Sequence, residues 1–499
     1  MYISTTIILA FAYRAFADSG AAFLQDGSAL YSSDPVSLTT DANCVENGNC
    51  DALDINSDHL SSTLTNYAKD WAHPPKCIQS QNGTDKYCLY THHAFANSRG
   101  ISIFTTPDKA ARLLELPAFT DETAHTKVNS EPDPPYEARS LPGRGIGLIA
   151  NRTLHKGDHI FSNTPVIMVE EWIFSEFEEA QRLPLQEAAI LQLPKGAHDK
   201  FMALHGHFGT NPYDDNFNTN AFAIEIWPND EDETAYNVVM PEISRLNHDC
   251  RPNAHYYFDP HTLTHHVHAL RTIYPGEELT ISYIDPAQAL VTRTTALKTS
   301  WGFDCACSSC TAPPPHAAAS DARIAQLLAL QNSLEDHAPL TNPGDGVGAA
   351  ELLVSLYKQE RIEGPVCEAY SLAAHEYASV GDEWSAVKYA RLAVESGLLY
   401  AGPDGDDVVD MQELLADPKA HWSWRFRERK GAESDEEDEE ADEDEDEEGA
   451  DEVEKMPVEA EKENEEGKEG QFEGAAKLMQ RLESERQRLK RKERALDEL

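Results

Sequence analysis

The chain is poor in cysteine: nine in 499 residues. That is too sparse for a fold built on disulfides, so a hydrophobic core has to carry it. Positive charge is also scarce, with 41 Lys and Arg against 87 Asp and Glu and a formal net charge of −46. Such a balance disfavours a nucleic-acid phosphate partner and makes a lysine-rich peptide or protein the natural charged partner. Long apolar runs are missing too. The run Ile7-Ile8-Leu9-Ala10-Phe11-Ala12 is too short to span a bilayer, and no other segment reads as transmembrane. Residues 433–454 contain no Lys or Arg, and 433–469 hold 23 acidic residues against three lysines. This acidic tail (432–470) cannot collapse against its own repulsion and is expected to be disordered.

What remains is sufficient for sizeable cores: 40% of residues are hydrophobic, and the length suits about two to four domains. At the start, Ala15-Phe16-Ala17 after the apolar run matches a secretory cleavage pattern. No Lys or Arg precedes that run, so a signal peptide over 1–17 and an irregular N-terminus both stand. The terminal Leu496-Asp497-Glu498-Leu499 resembles an ER-retrieval signal at three of four positions. Location is left open between nucleus or cytoplasm and the secretory path.

Residues 18–66 read as a polar, loop-rich lead carrying Cys44 and Cys50. Asn82-Gly83 signals a two-residue hairpin turn. Opposed residue numbers then sum to 165, so Cys77 faces Cys88, in a hydrogen-bonded pair whose wide spacing is less comfortable for a bridge. Asn82 and Asn151 each begin a glycosylation sequon. A strand is expected over 100–104 and a helix over 109–116, which closes an N-terminal region placed at 18–134.

The proline-rich 131–135 reads as a stiff linker. Strands are expected at 143–150 and 158–169, a helix over 170–193, then a long polar stretch to 235 with a strand at 220–224. After a break at 311–315, residues 320–427 turn helical and Ala-rich. Tyr370, Ala374, Tyr377, Gly381, Ala386, Ala390 and Ala393 fall at the small and aromatic positions of one tetratricopeptide-type repeat, or of an ordinary helix pair. Leu482, Leu489 and Leu496 recur every seven residues in a charged C-terminal helix (474–499) that offers a partner surface.

The chemistry concentrates in residues 244–310. They contain Asn247-His248-Asp249-Cys250-Arg251-Pro252-Asn253, then Gly276-Glu277-Glu278-Leu279-Thr280-Ile281-Ser282-Tyr283, then Phe303-Asp304-Cys305-Ala306-Cys307-Ser308-Ser309-Cys310. Upstream stands Gly143-Arg144-Gly145-Ile146-Gly147. In this order and spacing the motifs resemble a SET domain with its post-SET zinc knot, as in protein lysine methyltransferases. The order of SET, post-SET and then helices resembles the SET-and-MYND proteins and related fungal SET proteins. The eight-ligand MYND finger is not present in the sequence, and Asp249 stands where many relatives carry Ser.

The resemblance implies an α+β fold. It implies a β-rich SET domain at 135–286 with an insert at about 175–235, a post-SET zinc motif at 299–312, a helical (tetratricopeptide-like) domain at 320–427, and the acidic tail. It implies S-adenosylmethionine as methyl donor, held by Arg144, Gly145, Gly147, Asn220, Asn247, His248 and Phe303. Tyr283 matches the catalytic tyrosine, with Trp301 walling the lysine channel. Cys305, Cys307 and Cys310 supply three soft ligands, and structural zinc needs four; the family takes the fourth from the position of Cys250. A phenol is a poor base near neutral pH, so Tyr283 is expected to orient the amine. The implied substrate is a protein with an exposed lysine, histone or other. Alternatives are a catalytically weak SET module that binds basic proteins, and a secretory-pathway protein using the SET fold to another end.

Overall fold

The structure, a computed structural model, describes residues 71–427 apart from 81, 82, 84, 131, 210, 228–234 and 336–343. The signal-like start, the lead with Cys44 and Cys50, the Asn82 sequon, the acidic tail, the leucine repeat and the C-terminal tetrapeptide lie outside the described residues.

The strands in chain order are β1 (Lys76–Gln79), β2 (Lys86–His92), β3 (Ile101–Thr105), β4 (Tyr136–Leu141), β5 (Gly145–Ala150), β6 (His159–Asn163) and β7 (Ile167–Glu170). They continue with β8 (Phe222–Glu225), β9 (Ala235–Val239), β10 (Asn247–His248), β11 (Ala254–Asp259), β12 (Thr264–Ala269) and β13 (Glu278–Ile281). They form three sheets, ordered β1-β2-β3-β7-β9-β8, β10-β13-β5-β4 and β11-β12-β6.

In the six-stranded sheet β3 pairs with β7 in parallel, Ile103 opposite Met168. Every residue of β3 is buried, because both sheet faces are covered, which turns the usual alternation into a continuous apolar run. Ile101 and Ile103 enter one cluster with Tyr90, Met168 and Val238. Phe104 enters the opposite one with Leu89, Val169 and Val239. This is the period-two alternation of a strand.

Helices Glu179–Leu191, Lys195–Met202 and Pro212–Asn220 close that second cluster with Leu185, Ala189, Phe201 and Phe217. The stretch after 193 is therefore more ordered than its polar composition suggested. The boundary drawn at 134/135 falls between strands that share one sheet: β1–β3 pair with β7, β9 and β8 across it.

In the hairpin the register is as expected, with Cys77 opposite Cys88, but the ladder phase is reversed. Ser80 N–H donates to Asp85 O at 2.8 Å and Gly83 N–H to Ser80 O at 3.0 Å, with Gly83 at φ +74°. Residues 80 and 85 are thus a bonded pair, and three steps along the ladder 77 and 88 are a non-bonded, narrow one. Their Cα atoms are 4.0 Å apart and a disulfide joins them.

The C-terminal helices are Pro314–Glu335, Gly344–Glu360, Val366–Ser379, Glu383–Tyr400 and Asp406–Ala416. The first begins earlier than expected, since proline fits a helix's first turn. The repeat-like positions fall on the 366–379 and 383–400 pair. Ala374, Ala386 and Ala390 are fully buried between them, and Gly381 makes the turn at φ +75°. Cys367 is a free, buried thiol. The buried Arg251 ties this helical part to the β-sheets. Its Nη2 lies 2.9 Å from Glu360 Oε2, and Arg323 and Ser320 each reach the same carboxylate at 2.6 Å. His255 on β11 stacks on Tyr400 at 4.5 Å. Among the described residues no helix is long and apolar enough to cross a membrane.

Candidate active site and cysteine cluster

The four-stranded sheet assembles the site. β10 runs parallel to β13 with Asn247 opposite Thr280 and His248 opposite Ile281, and β13 runs antiparallel to β5. Motifs 100 residues apart thereby become neighbours. Glu278 joins them. Its Oε1 accepts from Asn247 Nδ2 at 2.7 Å, and its Oε2 lies 3.1 Å from Arg144 Nε. Arg144 Nη2 also donates to His248 O at 3.1 Å. Asn253 braces the strand, donating to Glu278 O at 2.8 Å and accepting from Thr280 N–H at 2.9 Å. Neither Glu278 nor Asn253 was assigned a role from sequence, although both lie inside the motifs.

The two glycines of β5 do different things. A Cβ on Gly147 would stand 2.6 Å from Glu278 Oε1 and 2.9 Å from Asn247 Nδ2, so this glycine makes room for the Glu278–Asn247 pair rather than for a ligand. Gly145 sits at φ +73° with nothing within 4 Å of its Cβ position. It is a residue past which a ligand can approach the backbone.

Tyr283 follows β13. Its hydroxyl donates to Leu246 O at 2.8 Å. Burial pushes its phenol well above the ordinary range, so it stays protonated in the folded protein. Trp301 lies 5.4 Å from it ring to ring, and Phe303 6.4 Å. Trp301 ends the helix Leu290–Trp301, which Gly302 terminates at φ +71°. A side chain at Gly302 would enter the His207 ring.

His248 is buried, and burial lowers it to about 4. Tyr283 N–H donates to its Nδ1 at 3.0 Å, which places the ring hydrogen on Nε2, 3.3 Å from Cys250 Sγ. The imidazole expected to touch a cofactor is therefore engaged between Tyr283 and Cys250. Only its ring faces, 5.4 Å from Tyr283 and 6.1 Å from Phe303, and its carbonyl are turned to the rest of the site. Asn220 gives its amide hydrogens to His205 O and Asn216 O, both at 2.9 Å.

The ligand atoms of Cys250, Cys305, Cys307 and Cys310 all lie within 4.8 Å of one another. Cys250 Sγ and Cys310 Sγ are 3.5 Å apart. Tetrahedral zinc with Zn–S bonds of about 2.3 Å has S···S edges of roughly 3.8 Å, so the set fits that ion. Hydrogen bonds among the four thiols lower Cys307 and Cys310 and raise Cys250 and Cys305. His248 Nε2–H on Cys250 and Cys310 N–H on Cys307 (3.4 Å) are the outer-shell donors such a site uses. The open Gly145 and the rings of Phe303, Tyr283 and His248 likewise suit S-adenosylmethionine, an adenine with a sulfonium cation.

The SET domain family matches residues 145–284. The histone-lysine N-methyltransferase set5 of Schizosaccharomyces pombe is 27% identical over 288 residues, 57% of this chain and 85% of that protein. A SET and MYND domain-containing protein of Dictyostelium discoideum is 39% identical over 100 residues, 18% of this chain and 28% of that protein. The human histone-lysine N-methyltransferase SMYD3 is 42% identical over 73 residues, 14% of this chain and 16% of that protein. Residues 145–284 thus carry a SET domain, and the chain is similar to proteins named histone-lysine N-methyltransferase. The similarity to the fission-yeast set5 protein extends over most of that protein's length.

Proposed function

We propose that this protein is an S-adenosylmethionine-dependent protein-lysine N-methyltransferase, with Tyr283 as its catalytic residue. The bound cofactor supplies a methyl group on a sulfonium for in-line transfer to a lysine amine. The observation that carries the reading is the Tyr283 phenol, tied by its hydrogen to Leu246 O and ringed by His248, Trp301 and Phe303. With its hydrogen spent, the phenol oxygen accepts from the amine and aims the nitrogen lone pair. The phenol stays protonated and offers no phenolate to take the proton, so the amine loses its proton to water before the transfer. Most of the rate then comes from positioning and the exclusion of water.

For the cofactor we assign Asn247 Oδ1, left as the acceptor once Nδ2 is bound to Glu278, together with the His248 carbonyl, the open backbone at Gly145 and the Phe303 ring. Arg144 and Gly147 act through Glu278. Asn220 has its Oδ1 left to contribute. We assign a structural zinc to Cys250, Cys305, Cys307 and Cys310. It fixes the loop bearing Phe303 and, through His248, the backbone of Tyr283. The substrate class is a protein with an accessible lysine, of histone or other origin. The 366–400 helix pair supplies one tetratricopeptide-type hairpin.

The test is transfer of tritiated methyl groups to core histones and to a whole-cell extract, wild type against Tyr283→Phe. Labelling should fall by roughly 100-fold in the variant while calorimetric cofactor binding is retained. A zinc-loaded preparation that binds the cofactor yet labels no protein overturns the reading in favour of a binding module, and equal labelling by both proteins overturns the catalytic role of Tyr283.

A further inference from the structure

A second cluster of ligating side chains lies in the helical part of the fold, apart from the cysteines. His375 comes from the helix Val366–Ser379, Asp410 from the helix Asp406–Ala416, and His421 from the turn that follows. His375 Nε2 lies 2.6 Å from Asp410 Oδ2 and His421 Nε2 3.2 Å from Asp410 Oδ1. One ligand atom from each residue falls within 4.8 Å of the others. The His421 side chain is 2% exposed and that of His375 11%. The imidazole planes are 13° apart with centroids at 5.8 Å.

We propose that His375, Asp410 and His421 form a second divalent-metal site of zinc type, which clamps residues 417–427 onto the helical bundle. Two neutral imidazoles and one carboxylate are a borderline donor set for zinc, and three protein ligands leave a fourth position for water. With bonds of about 2.0 Å a tetrahedral site has edges of roughly 3.3 Å, and the His421–Asp410 separation of 3.2 Å matches. The His375–Asp410 pair is at hydrogen-bond distance and has to open by roughly 0.7 Å, a rotation of the Asp410 carboxylate.

Two of the three ligands have an outer shell. His421 Nδ1 lies 2.7 Å from Ser423 Oγ, which accepts its hydrogen when Nε2 carries a metal, and Trp422 Nε1–H donates to Asp410 Oδ1 at 3.0 Å, while His375 Nδ1 is buried without a partner among the described residues. Next to the site Arg427 makes a buried ion pair with Glu376 at 2.6 Å, so the segment that the metal would fasten is the one that completes this part of the core.

The competing account is a purely hydrogen-bonded His-Asp-His node, and metal content separates the two. Full-length protein passed over a chelating resin should retain about two zinc equivalents by mass spectrometry, one for each cluster. Asp410→Asn keeps the side-chain shape and the hydrogen bond from Trp422 but is a poor ligand, and should lose one equivalent. The variant Cys305→Ser, Cys307→Ser, Cys310→Ser should still take up one cobalt ion with ligand-field bands but no thiolate charge-transfer band. For wild type alone, cobalt titration should show a thiolate phase and a separate phase without thiolate absorption. The proposal is overturned by equal metal content in wild type and Asp410→Asn, or by a wild-type titration with the thiolate phase only. Loss of only the thiolate phase would instead overturn the cysteine assignment made under the proposed function and leave this one standing.

Discussion

The carboxylate of Glu278 accepts from the amide of Asn247 at 2.7 Å while its second oxygen holds Arg144 at 3.1 Å. One side chain thereby joins the Gly-x-Gly strand to the Asn-His strand. It also fixes which end of the Asn247 amide is free to meet a ligand.

Replacing Glu278 by Ala should release both partners. A hydrogen bond to a charged group contributes about 1.5–3 kcal/mol, so cofactor affinity should fall about 10- to 100-fold by calorimetry, with Glu278→Gln at the mild end. Unchanged affinity in Glu278→Ala would mean that Asn247 is positioned by its strand alone.

Gly147→Ala and Gly145→Ala should separate. The first puts a methyl 2.6 Å from Glu278 Oε1 and should remove measurable cofactor binding. The second meets open space and costs only the strain of a positive φ, about 1 kcal/mol. It should lower the unfolding midpoint by a few degrees and, because its methyl stands where the proposed cofactor approaches the backbone, weaken binding about tenfold rather than remove it.

Breaking the buried Arg251–Glu360 pair should be costly, since each side chain is 4% exposed. Glu360→Ala leaves the Arg251 guanidinium buried and unpaired, with a loss of about 3–5 kcal/mol. The double variant Arg251→Met, Glu360→Leu should recover much of it. Urea denaturation of the three proteins checks this, and a double variant as unstable as the single one would refute it.

His265 sets a pH dependence. It is 1% exposed, and burial lowers it to about 3 against 6.5 when unfolded. Between these values the unfolded chain holds the extra proton, so stability rises with pH there. Its contribution is complete above about pH 6.5 and is lost as pH falls toward 3, at about 1.4 kcal/mol per pH unit. The slope of unfolding free energy between pH 6 and pH 4 should flatten in His265→Gln by about that amount.

The site was legible in sequence wherever function forces residue types into short spacings. Cys305, Cys307 and Cys310 stand in one loop, and Asn247, His248 and Cys250 stand in one strand and turn. The Cys77–Cys88 register also followed from a local sum, although the phase of its ladder did not, because the turn closes through Ser80 and Gly83. Long-range pairings had no such local signal. The β3–β7 parallel ladder joins residues on either side of a proline-rich stretch that looked like a boundary, and His375, Asp410 and His421 come together only through helix packing. The helix Pro212–Asn220 could have been read. Asn211 caps it, Pro212 starts it, and Asp214 and Asp215 occupy its first turn.

The buried Arg251 has a consequence for synthesis on the ribosome. Glu360 is made 109 residues after it, roughly 5–20 s later at typical elongation rates. Through that interval the nascent chain carries a cation whose ion-pair partner has not yet been translated. Arg251 also donates to the Cys250 carbonyl, so this brace on the cysteine cluster gains its counter-charge only once the helical half has been made.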